Sequence, residues 1–268
     1  MQYNIFVILG MNRFSQKDTN HKFNMTQYLD KYSNIYWDNN VRNDEVYAST
    51  PFYEVMKTMD DFVEKNYIKP ENVNFVFSRG TFGRGTENFI KSKLVLLNDG
   101  IETTKNIVIS KSFGVIDSLK AIRETSDVDI DLFIGIDGYA PIFSRAKVMD
   151  VYKKKQLHDD PNGKRSRLKV FHNIKHYHSI VQRKDKIKGL LFGDPRQDKS
   201  KVHNYIINAT DIRLYPTYNH YADGSVRHLK VLHKDMEEIC FITPCCFDSS
   251  KTKYLNVNDR IKKELITY

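Results

Sequence analysis

The sequence predicts an α/β protein: a mostly parallel central sheet flanked by helices. Two observations predict it. Short runs rich in Ile, Val and Phe recur through the first half of the 268 residues, and amphipathic segments with helical spacing separate them. Strands joined through helices pair in parallel, and the crossover helices cover both faces of the sheet. No internal repeat is visible; the length suits one α/β domain or two small ones, and a single domain over 1–268 is expected.

The elements follow in order. Ile5-Phe6-Val7-Ile8-Leu9 reads as a first strand ending at Gly10. Thr50-Pro51 opens a helix, with Thr50 as cap and Pro51 at the first helical position, where a missing N–H costs nothing. Phe52, Val55, Met56, Met59, Phe62 and Val63 then form one helical stripe. Val73–Phe77 is the next strand, and a helix around 86–98 stops at Asn98-Asp99-Gly100. Ile107–Ile109 is a strand, 113–124 a helix with Ile116, Leu119 and Ile122 on one face, and Leu132–Ile136 a further strand. Val202–Ala209 reads as a return to the sheet.

Between these parts the composition changes. Residues 145–201 hold 17 Lys or Arg against 6 Asp or Glu, a net charge of +11 against +9 for the whole chain. The stretch includes Lys153-Lys154-Lys155 and Lys164-Arg165-Ser166-Arg167 and reads as a basic insertion within the domain, with short strands expected at Leu168–Ile174 and Gly189–Phe192. Such a charge attracts anionic partners: nucleic acid, an acidic surface or acidic substrates.

Cys240, Cys245 and Cys246 are odd in number and include no Cys-x-x-Cys pair, so neither a disulfide framework nor a thiolate zinc site is expected. A reducing, cytoplasmic location fits that usage. Residues 4–9 are apolar but too short to span a membrane and lack the flanks of a signal peptide. His172, His176 and His178 invite a metal reading, but no His-Glu-x-x-His pattern is present and Phe171–Ile180 alternates as a strand does, so no metal is expected.

In open α/β sheets functional groups gather at the carboxyl ends of strands. Ser112 follows a strand and opens a helix in Ile109-Ser110-Lys111-Ser112-Phe113-Gly114. A nucleophile on such a turn needs small residues two before and two after it, and Ser110 and Gly114 are those residues. Asp137 stands after the next strand, in Ile136-Asp137-Gly138, where it can orient a base or simply form an Asp-Gly turn. Among the late histidines His203, His220, His228 and His233, His228 follows a Gly-containing turn and precedes an apolar stretch read as a helix. His233 then falls about one and a half turns into that helix, so His228 is preferred. Ser78, in Phe77-Ser78-Arg79-Gly80, is the rival nucleophile, but Val76 is branched where a small residue is wanted. The glycines that follow it lack the Gly-Lys-Ser/Thr of a phosphate-binding loop.

With these residues the chain resembles the α/β-hydrolase superfamily, in particular its minimal esterase and lipase-like members, over about residues 3–141 and 202–242. The resemblance implies a Ser112–Asp137–His228 triad, with Ser…acid…His as the chain order. It also implies backbone oxyanion donors at Phe113 and near Met11, and no cofactor. The expected function is hydrolysis of an ester, on a small molecule or lipid with an anionic part, the basic insertion bordering the pocket. The alternative is a non-catalytic protein that binds nucleic acid or an anionic surface through 145–201.

Overall fold

A computed structural model describes residues 1–10, 23–42, 46, 49–66, 68–79, 85–140, 150–153, 167–183, 185, 189–193, 200–207, 211–214, 227–230, 232–241 and 256–266. The protein is α/β, with a seven-stranded, all-parallel central sheet. The strands are β1 (Gln2–Leu9), β2 (Ile35–Trp37), β3 (Val73–Arg79), β4 (Thr104–Lys111), β5 (Ile130–Ile136), β8 (Ile174–Gln182) and β9 (Val202–Ile207). Two small antiparallel pairs stand apart from it: β6 (Tyr152–Lys153) with β7 (Arg167–Leu168), and β10 (Asp211–Leu214) with β11 (Arg227–Lys230).

The spatial order is β2-β3-β1-β4-β5-β8-β9. After β1 the chain moves to one side, building β2 and β3, then crosses back to place β4 on the other side. The order of strands therefore reverses between β1 and β4. A crevice opens outside the carboxyl ends at such a reversal, and ligands of open α/β sheets bind there.

Two cores sandwich the sheet. On one face Ile5, Val7, Phe75, Phe77, Ile107, Ile109 and Ile134 pack against α2 (Thr50–Asn66), α5 (Met236–Phe241) and α6 (Val257–Ile266). On the other, Phe6, Ile8, Val76, Val108 and Phe133 pack against α3 (Gly85–Leu96) and α4 (Phe113–Glu124). A short helix, α1 (Thr26–Lys31), lies against α2, burying Tyr28. The strands read as continuous apolar runs because both their faces are covered. None of the described helices is long and apolar enough to cross a membrane.

The basic 145–201 segment is not wholly an insertion, as its sequence suggests. β8 lies within it and occupies the sheet between β5 and β9, burying Ile174, Tyr177, Ile180 and Val181. Its strand-forming residues reach the core, whereas the Lys154–Lys155 and Lys164–Ser166 runs lie outside the described residues. The 229–232 stretch, read from its apolar residues as a helix, instead begins in β11. The helix starts only at Met236, after a single 3-10 turn over His233–Asp235.

Candidate active site

β4 ends at Lys111, and α4 begins at Phe113, so the chain reverses over one residue, Ser112. Ser112 holds φ 55° and ψ −125°, a conformation that L-residues rarely adopt and that costs about 1–3 kcal/mol. The surroundings enforce it. Ser112 N donates to Ile136 O at 3.0 Å, and Ser112 O accepts from Tyr139 N at 3.1 Å. The turn also demands close approach on both sides. A Cβ on Gly114 would lie 2.5 Å from Ile8 O, and one on Gly10 would lie 2.4 Å from Ser112 Cβ. Ser110 fits because its hydroxyl is small and is bonded to Ser118 Oγ at 2.7 Å.

Asp137 directly follows β5, fully buried, with φ 47°. Its N–H donates to Ile180 O at 2.7 Å, extending the pairing with β8. Its carboxylate accepts from Gln182 N at 3.2 Å and from Gln182 Nε2 at 3.0 Å. The same Oδ2 lies 2.6 Å from His233 Nδ1, and His233 Nε2 lies 2.7 Å from Ser112 Oγ. A carboxylate cannot donate, so Nδ1 carries a proton toward Asp137, and a neutral imidazole then presents Nε2 as an acceptor to the serine hydroxyl.

His233, rather than the preferred His228, completes this chain. His228 is paired opposite Arg213 in the β10–β11 ribbon. The apolar run after His228 begins in a strand rather than a helix, so His233 stands in a 3-10 turn and not in a helix interior. In the 3-10 turn, His233 instead has its N–H bonded to Asp185 Oδ2 at 3.0 Å, and Asp185 N in turn bonds Gln182 Oε1 at 2.8 Å. Asp137, Gln182, Asp185 and His233 thus close a ring of hydrogen bonds. No sequence signal marks Gln182 or Asp185.

Beneath the site, Lys111 Nζ lies 2.9 Å from Glu237 Oε1, and Arg79 Nη1 lies 3.2 Å from Gly10 O. Burial alone would raise the Glu237 carboxyl, but the charges of Lys111 and Arg79 outweigh it and hold it below the ordinary carboxylate range. The sequence signal here was present: Lys111 sits where the alternation of Ile107 and Ile109 calls for an apolar side chain.

Ser78 lies at the end of β3, fully buried, and its hydroxyl bonds the carboxylate of Asp38, which also accepts from Thr86 and Asn40. That group ties the ends of β2 and β3 to the start of α3. Phe113 is the first residue of α4, and Met11 lies outside the described residues. His176 and His178 lie on β8, and His178 stacks on His203 of β9. Among the described residues no group of three or more His, Cys, Asp or Glu is disposed to hold a metal ion. Burial pushes the Cys240 thiol well up, as does the charge of Asp137, which leaves it inert as a nucleophile.

No protein-family model matches the chain, and no curated protein is similar enough to count as a relative.

Proposed function

We propose that the protein is a serine hydrolase of the α/β-hydrolase kind that cleaves an ester. One observation carries this reading: Ser112 Oγ, His233 and Asp137 form a continuous hydrogen-bonded chain, with the serine on a strained strand-to-helix turn. Supporting it are the chain order serine, acid, histidine, and the place of the group where the strand order reverses.

In this mechanism Ser112 Oγ attacks the acyl carbonyl while His233 Nε2 takes the hydroxyl proton. Asp137 keeps the imidazole in the tautomer with Nδ1 protonated and stabilises the imidazolium that forms. His233 then returns the proton to the departing alkoxide. In the second half, water attacks the acyl-enzyme, giving its proton to His233, and Ser112 leaves with that proton. The negative oxygen of each tetrahedral state is assigned to backbone N–H donors, of which Phe113, at the start of α4, is one. The chemistry requires no cofactor. The ester's acyl and alcohol parts are assigned only by class, a small molecule or lipid with an anionic portion drawn by the basic 145–201 segment.

The test is covalent labelling with a fluorophosphonate, which traps an activated serine. Labelling of the native chain at Ser112, with loss of labelling and of short-chain ester turnover by on the order of 10³ or more in Ser112→Ala, supports the reading. Equal turnover in Ser112→Ala overturns it.

A further inference from the structure

Two buried cations stand at the carboxyl end of one face of the sheet. Ile107 and Ile109 of β4, and Phe75 and Phe77 of β3, belong to the core under α2 and α5. Alternation puts Lys111 and Arg79 on that same face, and their side chains are 3% and 6% exposed. Both meet one carboxylate: Glu237 of α5 brings Oε1 to 2.9 Å from Lys111 Nζ and 3.9 Å from Arg79 Nη1. A buried ion pair is seldom more stabilising than apolar side chains of similar volume, because desolvation offsets the attraction. Cohesion alone is therefore a poor account of three charges at this place.

The neighbours of these residues supply a better one. Lys111 immediately precedes Ser112, and Glu237 follows His233 by four residues. Lys111 Nζ also reaches Lys234 O at 3.5 Å. Arg79 bonds Gly10 O, and Gly10 is the residue on which Ser112 packs. One cluster thus fastens the ends of β3, β1 and β4 to the segment that carries His233. Apolar contacts between α5 and the sheet tolerate sliding, whereas charge-assisted hydrogen bonds have fixed length and direction.

We propose that Lys111, Glu237 and Arg79 act as positioning residues, a lock that holds the His233 segment on the strand bearing Ser112 and so sets the Ser112–His233 hydrogen bond. The catalytic consequence rests on the hydrolase reading; the geometric one does not.

The experiment uses the full chain with Lys111→Arg and the double variant Lys111→Met/Glu237→Gln, which removes the pair without leaving a lone buried carboxylate. Three quantities are measured: thermal unfolding, the far-downfield proton resonance of the His233 Nδ1–H, and fluorophosphonate labelling as a function of probe concentration. In the double variant the resonance is expected to broaden or vanish. The maximal labelling rate is expected to fall by about tenfold or more, with the half-saturating probe concentration changed by less than about twofold. Lys111→Arg should keep both the resonance and the rate. If the double variant does not fold, Glu237→Asp, which keeps the charge but shortens its arm, should give the same loss. The proposal is overturned if a folded double variant keeps the resonance and the rate, or if Lys111→Arg loses them equally. If the native chain is never labelled but the resonance disappears with the lock, the hydrolase reading falls and the lock stands.

Discussion

Gln182 Nε2 donates to Asp137 Oδ2 at 3.0 Å, the same oxygen that faces His233 Nδ1 at 2.6 Å. The carboxylate is therefore oriented from behind before it orients the imidazole. Gln182→Met removes that donor while filling a similar volume. It should lower the fluorophosphonate labelling rate about tenfold, the equivalent of one hydrogen bond to a charged group at ~1.5 kcal/mol. Gln182→Glu, which sets a second carboxylate against Asp137, should be worse still. Labelling rates unchanged in both variants would show that Asp137 is held adequately by the Gln182 backbone and His233.

Ser112 sits at φ 55°, a conformation glycine adopts without strain. Ser112→Ala keeps the strain and Ser112→Gly relieves it. Relief of about 1–3 kcal/mol exceeds the extra chain entropy of glycine, roughly 0.5–1 kcal/mol. Ser112→Gly should thus unfold in urea at a higher midpoint than Ser112→Ala, both being unlabelled by the probe. The reverse order would mean that the turn stores no strain.

Asp117 of α4 is buried, and its Oδ2 meets no hydrogen-bond partner among the described residues. Burial, then the negative charge of Glu87, pushes its carboxyl up to about 8 from an ordinary 3.8. Between those values the folded state holds a proton that the unfolded chain has released. Stability from this group is therefore complete below about pH 4 and is lost as pH rises toward 8. Asp117→Asn should gain on the wild type progressively across that window, by a few kcal/mol at its upper end, as read by denaturant unfolding at several pH values. Parallel stability curves would refute the assignment.

His178 gives the opposite slope. Burial, then the charge of Arg260, drives its imidazole down to about 3, and neither ring nitrogen meets a partner among the described residues. The folded state keeps it neutral where the unfolded chain takes a proton, so stability is full above about pH 6.5 and is lost as pH falls toward 3. His178→Phe preserves stacking on His203 and Tyr205 and should resist acid better than the wild type. Midpoints of acid unfolding, compared by circular dichroism, decide it; no upward resistance in the variant would count against it.

Strands β1, β3, β4, β5 and β9 could be read from the sequence because they hold short apolar runs between helices with clear stripes, as in Phe52–Val63, whereas β2 is only three residues long and β8 lies within the basic stretch. The turn at Ser112 was legible for the same reason: a strand, a helix and small flanking residues leave few conformations. Asp137 stood out by following the next strand. The histidine was not legible, since Leu229 to Leu232 suits helix and strand alike and only pairing with β10 settles β11. Gln182 and Asp185 act through distant partners, which no local pattern records. Lys111 was visible as a charge at an inward-facing position, but its partner Glu237 lies 126 residues away.

Ser112 and His233, joined by a hydrogen bond, are 121 residues apart in the chain. At a synthesis rate of roughly 5–20 residues per second, a ribosome that has just made Ser112 needs on the order of 6–24 s to reach His233. During that interval the nascent chain carries Ser112 without its hydrogen-bond partner, and the 3-10 turn that holds His233 is made only after β8 and β9. The hydrogen-bonded chain from Ser112 to Asp137 is thus completed late in synthesis, and fragments cut short before His233 lack it.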